Sequence, residues 1–187
     1  RKCPYCDFYS VPQTAERMEQ YGTALCRFLR QMQTDLPVDT IYFGGGTPSL
    51  LPVSLLEEIL QTIAGTVSLQ QPEITLECNP ATVDRETLQQ FQEIGINRLS
   101  IGVQSLSDVQ LKRLGRLHDA QTAIETVEQA AAAGFQNLSC DVMLALPKQT
   151  TAELQSTLTQ LTALPIQHIS AYLLKVEPET PFASMNW

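Results

Sequence analysis

The sequence predicts an α/β fold in which parallel strands alternate with helices, arranged as a partial β/α barrel. The hydrophobic periodicity switches repeatedly between the helical and the strand form. Predicted strands begin near residues 40, 73, 98, 138 and 169, and strand–helix units at about thirty-residue spacing are typical of βαβ connections and a parallel sheet. Polar residues gather where these strands end, as at the mouth of a β/α barrel. That clustering favours a barrel over a doubly wound sheet, which the periodicity alone also allows.

The first part of the chain is predicted to contain two helices with a strand between them. An amphipathic helix spans residues 15–33, and residues 40–43 form a short strand that runs into three glycines. Pro52 and a capping box of Ser54 and Glu57 begin the second helix. The apolar stripe of the first helix consists of Met18, Tyr21, Leu25, Phe28, Leu29 and Met32, with Cys26 beside it.

The rest of the chain is predicted to repeat the strand–helix unit. Asp84 caps a helix that stops at Gly95, and Gly134 ends a later helix as a left-handed C-cap. Thr150 and Glu153 form a second capping box, whose helix ends before Pro165. The strands, apolar nearly throughout, are 73–77, 98–103, 138–146 and 169–176, and the helical segments between the third and fourth are 107–114 and 119–133.

Composition limits the classes of function. The 187 residues are 43% hydrophobic and 17% charged, so we expect one folded domain, 1–187. A net charge of -8 disfavours broad electrostatic binding to nucleic acid or to an anionic membrane. No apolar run approaches the roughly 20 residues of a membrane span. Because the chain starts at Arg1 without an initiator Met, we expect it to be a fragment of a longer protein.

Cysteine usage indicates a reducing, cytoplasmic compartment, since five cysteines do not form a secreted disulfide framework. Cys26 and Cys140 lie in apolar patterns and are assigned to the core, whereas Cys78 stays open. Cys3 and Cys6 form a C-x-x-C pair in a loop, which can grip a metal or a cluster from two thiolates. The pair alone leaves zinc, a redox dithiol, an iron–sulfur cluster and no ligand as open alternatives.

Candidate binding residues follow the predicted strands. Three glycines followed by Thr47 and Pro48 let a ligand approach open backbone, but the segment has neither the Gly-Lys-Ser/Thr ending of a P-loop nor the G-x-G-x-x-G dinucleotide pattern. His118 and His168 are too few for a metal site and are assigned structural roles. The polar candidates on later strands and loops are Glu77, Gln104, Arg116, Asp141 and Lys175, the last placed on the final strand.

Five segments occur in an order that resembles a known family. They are CPYCDF at 3–8, FGGGTPS at 43–49, ECNP at 77–80, GINRLSIGVQS at 95–105 and DVMLALP at 141–147. Together they resemble the radical S-adenosylmethionine (radical SAM) superfamily, and within it the branch of oxygen-independent coproporphyrinogen III oxidase and the heme chaperone HemW. The resemblance implies a partial (β/α)6 radical SAM barrel whose first strand would precede this fragment.

The resemblance also implies the cofactors and their ligands. In the family motif C-x-x-x-C-x-x-C, Cys3 and Cys6 match the second and third cysteines, so the first is expected two positions before Arg1. Three thiolates then bind a [4Fe–4S] cluster, whose open iron takes SAM. The implied SAM contacts are Tyr5, Gly45, Gly46, Thr47, Glu77, Gln104, Arg116, Asp141 and, through its backbone, Lys175.

The choice within the branch depends on short segments. Cys6 is followed by Asp-Phe-Tyr-Ser, where the oxidase has Gly-Cys, and EPETPF at 177–182 and the MNW ending resemble the HemW side. The implied function is a heme chaperone, with heme, an electron donor and heme-accepting apoproteins as partners. The alternatives are an oxidase that decarboxylates coproporphyrinogen III to protoporphyrinogen IX and a radical SAM enzyme acting on RNA or another metabolite. The acidic charge disfavours the RNA version. No heme ligand is assigned, because that region is expected beyond the C-terminus.

Overall fold

Five parallel strands form a single sheet in a computed structural model that describes residues 2–10, 14–32, 34 and 36–185. The spatial order of the strands is β1-β2-β3-β4-β5, the same as their order along the chain. A doubly wound sheet reverses direction at a switch point, whereas a β/α barrel keeps the chain order. The strands are β1 Val38–Phe43, β2 Leu69–Cys78, β3 Arg98–Gln104, β4 Asn137–Leu144 and β5 His168–Leu173.

Helices connect successive strands, as predicted, and most bounds agree within a few residues. The helices are α1 Ala15–Leu29, α2 Val53–Ala64, α3 Arg85–Glu93, α4 Asp108–Arg113, α5 Ala120–Ala132 and α6 Thr151–Thr162. Short 3₁₀ turns occur at Pro48–Leu50, Pro80–Thr82 and Pro181–Ser184. None of the helices in the described part of the chain is both long enough and apolar enough to cross a membrane.

The two faces of the sheet differ in polarity, which corrects the prediction of strands that are apolar nearly throughout. On β3, Leu99, Ile101 and Val103 belong to the main core, which also contains residues of α2, α3, α5 and α6. The alternate positions of β3, from Arg98 to Gln104, point to the opposite face because side chains alternate along a strand. The helices therefore cover one face only, and the other is a polar surface enclosed by the curled sheet.

The apolar stripe predicted for α1 is only partly correct. Tyr21 and Phe28 are 56% and 62% exposed, whereas Gly22 and Cys26 are buried. A Cβ built on Gly22 would lie 2.1 Å from Leu55 Cδ1, so α1 and α2 cross at close range at this point. Because the crossing centres on residues 22 and 26, the contact face is narrower than the stripe and rotated from it. The helix ends at Leu29, and Gln33, its predicted end, lies outside the described residues.

The predicted caps have mixed outcomes. Thr150 and Glu153 form the reciprocal capping box, and Asp84 accepts a hydrogen bond from the Thr87 N–H, as predicted. Gly134 has φ +111° just after α5, which confirms the left-handed C-cap. The capping box at Ser54 is wrong: α2 begins at Val53 with Pro52 in the N-cap position and no side-chain cap. Ser54 is then already inside the helix and cannot cap it.

Candidate functional site

The C-x-x-C pair lies in a tight turn at the carboxyl end of the sheet. The Cys6 N–H donates to the Cys3 carbonyl at 3.2 Å, and both thiols are free and half-buried. Pro4 packs against the loop that follows α4, where a Cβ on Gly115 would lie 2.8 Å from Pro4 Cδ. The turn therefore places both cysteines at the mouth of the partial barrel.

Arg116 links the cysteine turn to the strand ends. Its Nη1 donates to Cys3 Sγ at 3.7 Å and to the Tyr5 hydroxyl at 3.3 Å. Its Nη2 donates to the Gly102 carbonyl at 2.7 Å and to Asn79 Oδ1. One half-buried guanidinium thus joins the cysteine turn, the end of β2 and the end of β3.

The C-terminal 3₁₀ turn holds the cysteine turn from the other side. The Phe182 N–H donates to the Pro4 carbonyl at 3.0 Å, and the Phe182 and Tyr5 rings meet edge to face at 6.3 Å. Phe182 is fully buried in a small apolar cluster with Leu114, Met143 and Leu146. Burial raises the pKa of Tyr5, and the adjacent Arg116 only partly offsets that effect. The phenol is therefore neutral and donates or accepts hydrogen bonds without carrying charge.

Glu77 fixes the glycine loop that follows β1. One carboxylate oxygen accepts from the Tyr42 hydroxyl at 2.8 Å, and the other accepts from the Gly45 N–H at 3.0 Å. Gly45 and Gly46 have φ +79° and +58°, which L-residues rarely adopt, and a Cβ at either would meet nothing within 4 Å. The loop is open to solvent because of its backbone conformation, and one of its N–H groups already faces the carboxylate.

Gly102 lies beneath a convergence of polar side chains. A Cβ on Gly102 would lie 3.0 Å from Asn79 Oδ1, 3.1 Å from Gln104 Nε2 and 3.2 Å from Arg116 Nη2. Asn79 Nδ2 also donates to Thr47 Oγ1 at 3.2 Å, which connects this cluster to the glycine loop. The absence of a side chain at residue 102 leaves room for an amide, a guanidinium and a second amide side by side.

Two further contacts complete the polar face. The Ser100 hydroxyl donates to Asp141 Oδ1 at 3.1 Å, and the Tyr172 hydroxyl donates to Gln104 Oε1 at 2.7 Å. Burial raises the pKa of Asp141, and the nearby Glu77 charge raises it further. The mouth therefore combines two carboxylates with one guanidinium, a set of charges that suits a ligand carrying both cationic and anionic groups.

Comparison with known proteins decides the family. Residues 1–161 match the radical SAM superfamily. The chain belongs to the radical SAM superfamily. It is 38% identical to the heme chaperone HemW of Haemophilus influenzae and to that of Escherichia coli, each over 98% of this chain and 50% of the relative. The chain thus spans about half the length of these curated relatives, and the predicted resemblance to this branch is confirmed.

A solved radical SAM structure confirms the fold class. The chain superposes on coproporphyrinogen III oxidase (HemN) from Escherichia coli with a TM-score of 0.87, over 98% of this chain and 43% of that chain. The sequence identity in that pair is 24%, so the likeness concerns the fold. The prediction of a partial radical SAM barrel with parallel strands is correct.

The structure brings most of the predicted radical SAM contacts to one mouth and places Lys175 just beyond the last strand. The last strand ends at Leu173, not at residue 176, because its partner β4 ends at Leu144, where Ala145 turns to φ +56°. Lys175 therefore lies beyond the strand, contrary to the prediction. Its ammonium is 81% exposed and pairs with Glu177 at 2.6 Å. A contact through its backbone stays a prediction.

The remaining cysteines are buried in the core, and His168 lies near the amino end of the sheet. Cys26 and Cys140 are buried, as predicted, and Cys78 proves to be a core residue too. Burial raises the pKa of Cys78 and of Cys140 to about 12, which keeps both thiols protonated. His168 bonds Ser139 near the amino end of the sheet, at 2.8 Å. None of these side chains forms a metal-binding cluster within the described ranges.

Several residues of the site were not named from the sequence. Tyr42, Gly102, Ser100 and Tyr172 all contact predicted site residues or lie directly beneath them. A signal was present in β3, where Arg98, Ser100, Gly102 and Gln104 alternate with apolar residues. Such alternation is typical of a strand with one polar face.

The donor set bears on the group that radical SAM proteins use, a [4Fe–4S] cluster with SAM. Cys3 and Cys6 are soft thiol ligands on one turn, as iron–sulfur ligation requires, but they are two where three are needed. No group of three or more His, Cys, Asp or Glu residues that could hold a metal ion exists in the described part of the chain. The polar mouth, with Asn79, Gln104 and Arg116 gathered over Gly102, suits SAM. The residues present fit the cofactors once a third thiolate is supplied.

Proposed function

We propose that this chain is the radical SAM core, residues 1–187, of a protein that binds SAM and a [4Fe–4S] cluster. Arg116 carries the proposal, because its guanidinium contacts the cysteine turn and the ends of β2 and β3 at once. A ligand seated over Arg116 is then in reach of both the sulfurs and the polar mouth. Cys3 and Cys6 supply two thiolates, and the third comes from sequence that precedes Arg1 in the full-length protein.

Each polar group of the mouth has a role toward SAM. The guanidinium of Arg116 pairs with the ligand carboxylate, and the carboxylates of Glu77 and Asp141 face its cationic and hydroxyl groups. Gly45, Gly46 and Thr47 offer backbone and hydroxyl contacts, and Gln104 offers an amide. Tyr5 lies against the ligand, and Lys175 contributes its backbone. When bound, the cluster and SAM supply one-electron radical chemistry; the protein binds and orients them.

The full-length protein is proposed to be a heme chaperone of the HemW type. The support is the 38% identity to two proteins named heme chaperone HemW, together with Asp-Phe-Tyr-Ser after Cys6. Heme, an electron donor and heme-accepting apoproteins are the proposed partners. A reducing, cytoplasmic location is also proposed, since all five cysteines are free. Asn186 and Trp187, part of the MNW ending, lie outside the described residues.

The cofactor proposal is tested on the full-length protein, reconstituted anaerobically with iron and sulfide. Cys3→Ser and Cys6→Ser should each lower bound iron and abolish the cluster's electron paramagnetic resonance signal after reduction. Cys26→Ser is the matched control, because Cys26 is buried between α1 and α2. Equal iron content in all three variants would show that the C-x-x-C pair is not a ligand. Arg116→Met with an intact cluster should weaken SAM binding, measured by calorimetry.

The chaperone proposal is tested by two assays on the same protein. Stoichiometric heme binding, followed by transfer to an apoprotein, supports it. Production of protoporphyrinogen IX from coproporphyrinogen III, SAM and a reductant would instead identify the oxidase and overturn the chaperone proposal. Gly45→Val with Gly46→Val should abolish SAM binding in either case, because both residues need positive φ.

A further inference from the structure

β3 ends in a strained turn centred on Gln104. The residue has φ +68°, and the Ser105 N–H donates to the Val103 carbonyl at 2.9 Å, two residues back. A hydrogen bond of this span around a residue with positive φ defines the rare and strained form of the γ-turn. Strain of this kind costs on the order of 1–3 kcal/mol and persists only when the surroundings over-determine it. Gln104 is a buried glutamine, so no glycine relieves the cost.

His118 supplies a second restraint on the same turn. Its Nε2 lies 3.1 Å from the Val103 carbonyl oxygen, which already accepts from Ser105. Because a carbonyl only accepts hydrogen bonds, Nε2 carries the proton and donates it. The imidazole is buried, and it follows Arg116 by two residues in the loop between α4 and α5. The loop that carries the guanidinium therefore also clamps the end of β3.

The Gln104 side chain is held at its far end by Tyr172. The Tyr172 hydroxyl donates to Gln104 Oε1 at 2.7 Å, which leaves Nε2 on the side of Gly102 and Arg116. His118 thus restrains the backbone turn at Gln104 through the Val103 carbonyl, and Tyr172 restrains the Gln104 side-chain amide. Neither restraint comes from β3 itself.

We propose that His118 is a positioning residue that holds the γ-turn at Gln104 and so aims the Gln104 amide at SAM. The proposal rests on the SAM site proposed above for this mouth. His118 bonds the Val103 carbonyl and acts on the site through it. Removing its N–H leaves the strained turn with one hydrogen bond instead of two.

The test is a double-mutant cycle on the full-length, anaerobically reconstituted protein, with SAM affinity measured by calorimetry. His118→Leu should weaken SAM binding about tenfold, the size expected for losing one hydrogen bond. His118→Gln, which keeps an N–H donor, should recover most of the affinity. In a Gln104→Ala background, His118→Leu should change affinity less than about twofold, since the residue it positions is gone. His168→Leu is the matched control, because His168 bonds Ser139 near the other end of the sheet.

A second measurement does not depend on SAM. Hydrogen exchange, followed by mass spectrometry, should show faster exchange of the Ser105 amide in His118→Leu than in wild type or His118→Gln. Unchanged exchange there would overturn the clamp, as would an equal loss of SAM affinity with and without Gln104. If wild-type protein binds no SAM, the site proposal fails, and the exchange result alone then decides whether His118 holds the turn.

Discussion

Gly102→Ala tests the proposed ligand site with the smallest possible change. The new Cβ would lie 3.0–3.2 Å from Asn79 Oδ1, Gln104 Nε2 and Arg116 Nη2, whereas ordinary contacts begin at 3.4 Å. Each side-chain end must therefore retreat by about 0.2–0.4 Å, from 3.4 less 3.2 and 3.4 less 3.0. Because these are side-chain ends, the fold loses only about 1 kcal/mol, at the low end of overpacking costs.

The change should weaken ligand binding more than it weakens the fold. Arg116 Nη2 donates to the Gly102 carbonyl and to Asn79, so the new Cβ displaces Arg116. The displaced guanidinium loses the alignment of a charge-assisted hydrogen bond. A loss of about 1.5–3 kcal/mol corresponds to SAM binding weaker by about 10- to 150-fold. Calorimetry on the reconstituted full-length protein measures it. Gly65→Ala, where the nearest atom to a new Cβ is 3.4 Å away, is the control. Equal affinities for both variants would refute the assignment of this cluster to the ligand.

Three further predictions concern stability and the cysteine turn. Burial, then the Arg116 charge, lowers the pKa of His118 from 6.5 to about 4. The unfolded chain binds the extra proton between these values, so stability is lost as pH falls from 6.5 to 4, by up to about 3 kcal/mol. In urea titrations, the pH dependence of the free energy of unfolding should be steeper for wild type than for His118→Gln in this window and parallel to it at higher pH. Ala145→Gly relieves φ +56° and should raise the free energy of unfolding by about 1 kcal/mol, whereas Ala24→Gly inside α1 should lower it by as much. Phe182→Ala should lower the iron content on reconstitution and lower the free energy of unfolding by about 3–5 kcal/mol. Phe182→Leu, which keeps apolar contact with Tyr5, should lose less iron and less stability. Unchanged iron content in the alanine variant would contradict a role for Phe182 in holding the cysteine turn.

The order and the class of the elements were predictable because their signals are local. The hydrophobic periodicity lies within each helix or strand, and caps such as Asp84 and Thr150 lie within a few residues of the helix they begin. The errors occur where packing against residues distant in sequence decides the buried face or the end of an element. The rotated face of α1 depends on Leu55 approaching Gly22, and the early end of β5 depends on the turn at Ala145 in its partner strand. The partner residues of these contacts, Leu55 and Ala145, lie outside α1 and β5.

The residues of the site also fall into two groups, those that a contiguous motif predicts and those that only the folded geometry brings into the site. The glycine loop, the cysteine pair and Glu77 were named because they form contiguous segments with a familiar spacing. Tyr42 was not, since it becomes part of the site only through a hydrogen bond to Glu77, 35 positions away. Gly102 was missed for a further reason: its role is the space it leaves. A sequence shows which side chains are present, but it does not show where a glycine is needed because a side chain would collide with its neighbours.

Backbone strain in the described residues is concentrated at the end of the sheet where the polar mouth lies. Of the four non-glycine residues with positive φ among the described residues, Gln104, Ala145 and Lys148 lie at or just beyond the carboxyl ends of β3 and β4, and the fourth, Gln71, lies near the start of β2. The amino end instead carries ordinary stabilising contacts, such as the Arg98–Glu73 ion pair and the bond from Ser139 to His168. Strained residues need neighbours that hold them, which explains why His118 and Tyr172 surround Gln104. Substitutions near the amino end should therefore act on stability, whereas relaxing the mouth can stabilise the fold and still weaken ligand binding.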